Sequence, residues 1–260
     1  MSIGSLADYR SALKQNILIQ KSPPSLVNAG LATSLWAGGG TPSAGGSPGN
    51  TANGIVPASP LTGVPAINFQ SGIGYITRVD YAASSGCRAF LYDRLFHCGA
   101  YTSNTGTTSL SGQPSFSSRI PGGVDYSGLQ IWAETQTSGT GTPVVSCTYT
   151  NSAGVSGQSS GSVTLTPFPD GRAAQLPLAA GDVGVQTIES VTLSGSNATI
   201  VLFVARPLWS ARIEGLENGW HWLDRTGAPQ VWATSCLAML VVPDSGTAPT
   251  VTLEVEIASL

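Results

Sequence analysis

Charge is what this sequence has least of. Asp, Glu, Lys and Arg make up 10% of its 260 residues, against about a quarter in an ordinary soluble chain. The 11 basic and 14 acidic side chains leave a net charge of −3 and form no basic cluster, which excludes the electrostatic footprint of a nucleic-acid binder. Histidine is scarcer still: with His97 and His221 alone, neither a three-histidine metal site nor a proton-relay cluster can be built. None of Cys87, Cys98, Cys147 and Cys236 lies at zinc-knuckle spacing from another. Two bridges in three connectivities are formally open, and buried free thiols suit their apolar neighbours better. No apolar run reaches the length of a membrane span, and the N-terminus lacks the charged-then-apolar layout of a secretory signal. The expectation is a soluble chain made in the cytoplasm, with no cofactor, metal, nucleic-acid or membrane partner. A fixed-period repeat is also missing, which argues against propellers and solenoids.

What is present is strand periodicity. In 142–150, Val145, Cys147 and Tyr149 point one way and Val144, Ser146 and Thr148 the other, the two-residue period of a strand with one face in a core. Asn151-Ser152-Ala153-Gly154 supplies turn chemistry, and a second strand ending in Val163 and Leu165 folds back on the first. Ile73 to Tyr81 alternates, Leu129 and Ile131 share a face, and Ile200 to Ala205 and Leu237 to Val242 are apolar on both faces. The last strand alternates, Val251, Leu253, Val255 and Ile257 inward and Thr252, Glu254 and Glu256 outward. Many short strands with Gly/Pro punctuation predict an all-β protein: an antiparallel β-sandwich of jelly-roll type.

Two segments stand apart. Leu6, Tyr9, Leu13 and Ile17 recur at intervals of three and four, predicting an amphipathic helix over 1–22 that Pro23-Pro24 stops. Residues 23–66 are rich in Gly, Pro and Ser and predict an extended arm, with Leu35 and Trp36 as apolar anchors that order it against some other surface. The β-sandwich then occupies 67–260.

Candidate chemistry is thin. Gly157-Gln158-Ser159-Ser160-Gly161, with Asp182 and His221 downstream, matches the nucleophile-elbow pattern, but a strand follows it where that motif needs a helix. His97 and Cys98 are adjacent on a strand and so point to opposite faces. Asp93 and Arg94 read as a local or intersubunit ion pair. The Asp170, Asp182 and Asp244 segments read as turns rather than calcium loops. Trp220-His221-Trp222 places two indoles on one strand face, where, with Glu217 and Asp224 near, they could stack on sugar rings, pack beneath a loop or meet a subunit.

Several stretches taken together resemble a known family: Tyr92-Asp93-Arg94-Leu95-Phe96-His97, Gln113-Pro114-Ser115-Phe116 with 119–123 and Asp125-Tyr126, Tyr149-Thr150-Asn151 with Ala153-Gly154-Val155, 175–182, and Arg206-Pro207-Leu208-Trp209. They are similar to structural proteins of tailed bacteriophages and prophages, described as minor capsid or decoration proteins. The likeness is strongest from about Tyr75 onward. It implies a non-enzymatic virion protein, assembled in the host bacterial cytoplasm, that forms a homo-oligomer, a trimer, and cements the major capsid protein. In that setting Leu6, Tyr9, Leu13 and Ile17 of the helix and Leu35 and Trp36 of the arm would clamp neighbouring capsid subunits. The alternatives are a tail or baseplate component, a host-surface carbohydrate-binding module using Trp220 and Trp222, and a hydrolase at Ser159.

Overall fold

The computed structural model describes residues 5–259 except 70–71, 103–105, 168, 197, 217 and 224–226. A short helix, α1 (Leu6–Ser11), precedes strands β1 (Leu13–Lys21), β2 (Thr33–Ser34), β3 (Gly40–Thr41), β4 (Asn50–Ile55), β5 (Ile73–Ala83), β6 (Gly86–Thr102) and β7 (Gly106–Ser109). Two 3-10 turns lead into β8 (Gln130–Thr137), β9 (Gly141–Asn151), β10 (Gln158–Ser159), β11 (Val163–Thr164), β12 (Ala173–Leu176) and β13 (Val185–Ser196). The chain ends with β14 (Thr199–Glu214), β15 (Asn218–Trp222), β16 (Gln230–Trp232), β17 (Leu237–Pro243) and β18 (Val251–Ser259).

The strands form three antiparallel sheets. The six-stranded sheet runs β15-β5-β18-β1-β3, with β16 beside β15 on the same edge of β5. The seven-stranded sheet runs β12-β8-β14-β6-β17-β2 with β4 on β6, and the five-stranded sheet runs β10-β9-β13-β7 with β11 on β9. The predicted all-β sandwich is what forms.

β6 and β14, 17 and 16 residues long, each run roughly 55 Å at about 3.3 Å per residue. They therefore serve two cores. Phe96, Cys98, Ile200 and Leu202 pack with Val145, Tyr149 and Ile188 of the five-stranded sheet. Leu91, Ile213 and Met239 pack with Ile19, Val79 and Val255 of the six-stranded sheet. Strand alternation was legible here: Val145, Cys147 and Tyr149 are buried, Gln158 and Val163 pair back onto β9, and Val251, Leu253, Val255 and Ile257 have no exposed area, although Glu256, expected to face outward, is buried as well.

The helix expected over 1–22 is corrected. Within the described residues it ends at Ser11, and Ala12 is already extended, with φ −66° and ψ 142°. Ser5 caps it by accepting from the Asp8 N–H at 3.1 Å, but six residues are too few for a helix to sustain itself. The sequence from Leu13 instead pairs with β18 from Leu13↔Ser259 to Lys21↔Val251. The β-branched Ile17 and Ile19 fill the core, while Leu13 and Leu18 are 57% and 52% exposed. Period two wins because the neighbouring strand supplies a complete ladder.

The arm is ordered by its own chain. β2 pairs with β17, β3 with β1 and β4 with β6. The Lys21 ammonium donates to the Gly38 and Ser43 carbonyls at 3.0 and 2.8 Å, and burial pulls its pKa down to about 8. The Trp36 indole N–H donates to the Gly46 carbonyl at 2.8 Å. A Cβ on Gly45 would come within 2.3 Å of that ring, so glycine lets the arm pass flat across the indole. Leu35 and Trp36 are 1% and 2% exposed. As intersubunit anchors they are therefore corrected, as is Ile17: all three are spent inside the chain's own cores.

Candidate functional site

The stretch Tyr92 to His97 crosses the middle of β6 and holds a buried charge network. Asp93 accepts from the Ser235 hydroxyl and the Cys236 N–H, both at 2.8 Å, and faces Arg119 at 3.3 Å and Arg206 at 3.6 Å. Arg94 forms a bidentate pair with Glu134 at 2.7 and 3.1 Å, and its Nε–H donates to His97 Nδ1 at 3.1 Å. Its guanidinium lies 4.1 Å from the Phe203 ring centroid and 4.8 Å from that of Trp36. Burial alone would lower the Arg94 pKa, but the Glu134 carboxylate more than offsets it and holds the group above its ordinary value. Burial first, then Arg94 and Arg119, push His97 down to about 2, so its imidazole is neutral. Each member is engaged with another, which describes a structural clasp across β6, β8 and β14.

The other sequence candidates do not converge. Ser159 lies on the five-stranded sheet, where Asp182 accepts from the Tyr149 hydroxyl and the Asn151 amide, each at 2.7 Å. His221 lies on the six-stranded sheet, its Nδ1 accepting from the Trp209 indole at 3.0 Å. His97 and Cys98 point apart: the imidazole meets Trp36 edge-on at 5.8 Å, and the Cys98 thiol donates to the Leu202 carbonyl at 3.8 Å. All four cysteines are free and buried. Burial raises the Cys87 thiol to about 11 and those of Cys98, Cys147 and Cys236 to about 12, so none supplies a thiolate near neutral pH. Among the described residues no group of His, Cys, Asp and Glu could hold a metal ion.

The remaining candidate, Trp220-His221-Trp222, forms the tip of β15 on the outer face of the six-stranded sheet. His221 points the other way and anchors the strand through Trp209 and through Tyr81, whose hydroxyl is 3.4 Å from Nε2. Trp220 and Trp222 are left 65% and 47% exposed. Directly opposite residues of an antiparallel pair share a face, so the register aligns Trp220, Asp80, Glu254 and Leu18 in one row across four strands. The next row holds Trp222, Arg78, Glu256 and Asn16. Arg78 pairs with Asp80 at 2.9 Å and lies 5.5 Å from the Trp222 ring. Tyr9 meets Trp222 edge-on at 6.3 Å and donates its hydroxyl hydrogen to Glu256 at 2.8 Å. Trp222 is thus propped by its neighbours, whereas Trp220 stands at the lip of a groove of about 390 Å³. Leu18, Asp80, Asn218, Thr252 and Glu254 line that groove. Glu217 and Asp224, the acidic neighbours expected from sequence, lie outside the described residues. The carboxylates beside Trp220 come instead from β5 and β18, which only the strand order reveals.

No family model matches this chain, and no curated protein does. The solved structures that align with it include the infectious bursal disease virus Gx strain, at 11% identity over 100% of this chain and 83% of that one, with a TM-score of 0.18. The VP2 subviral particle of the same virus aligns at 10% identity over the same shares, with a TM-score of 0.20. Scores this low carry no argument about fold or function.

Proposed function

We propose that the chain is a structural subunit of a tailed-bacteriophage particle: a capsid-associated minor capsid or decoration protein acting as a homotrimer against the major capsid protein. The likeness of segments such as Arg206-Pro207-Leu208-Trp209 to phage virion proteins supplies the setting. The observation that carries the reading is the sparseness of charge on the surface. Eight of the 25 charged side chains are buried, Asp93, Arg94, Arg119 and Glu134 among them, leaving at most seventeen for 10600 Å² of accessible surface. A free soluble domain keeps about a quarter to a third of its surface residues charged, and depletion of charge is what marks the centres of protein–protein contacts.

With Ile17, Leu35 and Trp36 inside the chain, the contact surface moves from the N-terminal arm to loops at one end of the five-stranded sheet. Val124, Val155 and Val183 are 76%, 52% and 62% exposed there. Their loops are tied together: the Gly128 N–H donates to the Val183 carbonyl at 2.8 Å, the Ser152 N–H to Gly184 at 2.9 Å, and the Asn151 N–H to Val155 at 3.0 Å. Each valine, if fully covered, would contribute about 1.5 kcal/mol, repeated at every symmetry-related contact.

Two measurements test the reading. The purified chain is expected to run as a trimer by light scattering, and Val183→Asp to shift it to monomer with its unfolding free energy changed by less than about 0.5 kcal/mol. Imaging of intact particles should place it on the head. A stable monomer at high concentration overturns the oligomer, and density confined to the tail transfers the protein to the tail or baseplate.

A further inference from the structure

We infer that the groove beside Trp220, on the outer face of the six-stranded sheet, is a binding site for a neutral sugar. The indole face of Trp220 serves as a stacking platform, and Glu254, Asp80 and Asn218 take the ring hydroxyls. The inference does not depend on which particle, if any, the chain belongs to.

The argument begins with what the sheet leaves unused. An indole 65% exposed in the middle of β15, next to the anchored His221, is left largely unpacked. It offers a flat apolar face with an N–H at its edge, the combination that suits a surface apolar on one side and polar at its rim. A pyranose is such a surface, its C–H groups on one face and its hydroxyls around the edge. Among the described residues nothing bonds to the Trp220 indole N–H, the Asn218 amide or the Glu254 carboxylate. One oxygen of Asp80 is held by Arg78 at 2.9 Å, which fixes the carboxylate's direction and leaves the other oxygen to accept. Two acceptor carboxylates and one amide, set around an indole in a groove of about 390 Å³, fall within the size and the few-convergent-groups pattern of small-ligand sites.

Glycine also sets how β15 sits on β5. A Cβ on Gly219 would come within 2.6 Å of the Tyr81 hydroxyl, so glycine lets the Tyr81 phenol rest against β15 while Trp220 projects past it. The Trp220 row crosses three inter-strand spacings to Leu18, about 14 Å, which leaves room along the sheet for more than one ring.

Charge selects the occupant. Asp80 and Glu254 face each other across β5 and β18, so an anionic sugar would meet like charge. A second copy docking by a two-fold axis would oppose the same two carboxylates to themselves, which is costly in a desolvated contact. A neutral ring bearing several hydroxyl donors satisfies both carboxylates without adding a further negative charge.

The test is a titration of the full chain with neutral oligosaccharides built of glucose, galactose, mannose or N-acetylhexosamine, and with a sialylated counterpart. Ligand-observed NMR and tryptophan fluorescence report binding. At least one neutral compound is expected to bind below about 10 mM. Trp220→Ala should weaken it about tenfold or more, and Glu254→Gln several-fold, with thermal midpoints unchanged because both side chains lie at the surface. Trp222→Ala should have the smaller effect, since that ring is held by Tyr9 and Arg78. Three results overturn the inference: no neutral sugar binding at that concentration, preference for the sialylated compound, or self-association lost specifically in Trp220→Ala, which would make the face a subunit contact.

Discussion

His97 stays neutral in the folded protein down to about pH 2, because burial and then the Arg94 and Arg119 guanidinia exclude a proton. In the unfolded chain a histidine titrates near 6.5. Below that pH the unfolded state takes up a proton that the folded state refuses, so stability falls by up to about 1.4 kcal/mol per pH unit between roughly pH 6 and pH 2. His97→Asn keeps an acceptor for the Arg94 Nε–H and removes the titration. Urea unfolding at pH 7 and pH 5 should show the wild type losing about 2 kcal/mol more than the variant over that interval. Equal losses would mean that His97 is not what senses the acid. The ion pair expected between Asp93 and Arg94 is not what forms, because adjacent residues of β6 face opposite ways and each finds its own partner. Their nearness showed, but the partners Arg119, Glu134, Arg206 and Ser235 arrive from other strands, and local periodicity carries no information about strand order.

At the scale of elements, β1 is where two periodicities competed. Leu6, Tyr9, Leu13 and Ile17 fit a helical stripe, while Ile17, Ile19 and Lys21 alternate as in a strand, and the choice between them rests with the partner strand β18. The arm 23–66 is a related case. Its composition predicts an extended segment with two apolar anchors, and in the structure both anchors are buried within the chain. The receiving surface was the chain's own six- and seven-stranded sheets, a fact no local pattern encodes. Trp36→Ala should cost about 3–5 kcal/mol, read as a lowered denaturation midpoint, because the ring fills a space closed by Gly45, Arg94 and His97. A loss under about 1 kcal/mol would show that the arm peels away freely. β9 was legible because it buries one face only, the condition under which period two survives in sequence, whereas β18 keeps that pattern only to Val255 and is buried on both faces beyond it.

For the molecule as a whole, the two large cores share β6 and β14, so neither can melt while the other stays intact. Thermal unfolding is expected as one transition, with calorimetric and van't Hoff enthalpies equal. Two resolved transitions would show that the halves are separable domains. Sequence conveyed the fold class at this scale because strand propensity and turn chemistry are local. The groove beside Trp220 was legible only in that indole, since its carboxylates are assembled by the sheet. Sparse charge was plain from composition, though not that eight of those charges are internal.

The same two strands have a mechanical meaning. Paired antiparallel from Thr199↔Thr102 to Glu214↔Gly86, they form a girder shared by both large cores. A pull applied to opposite ends would load its rungs in shear, where they resist together instead of opening one at a time like a zipper. Such a pairing gives little under load and breaks late.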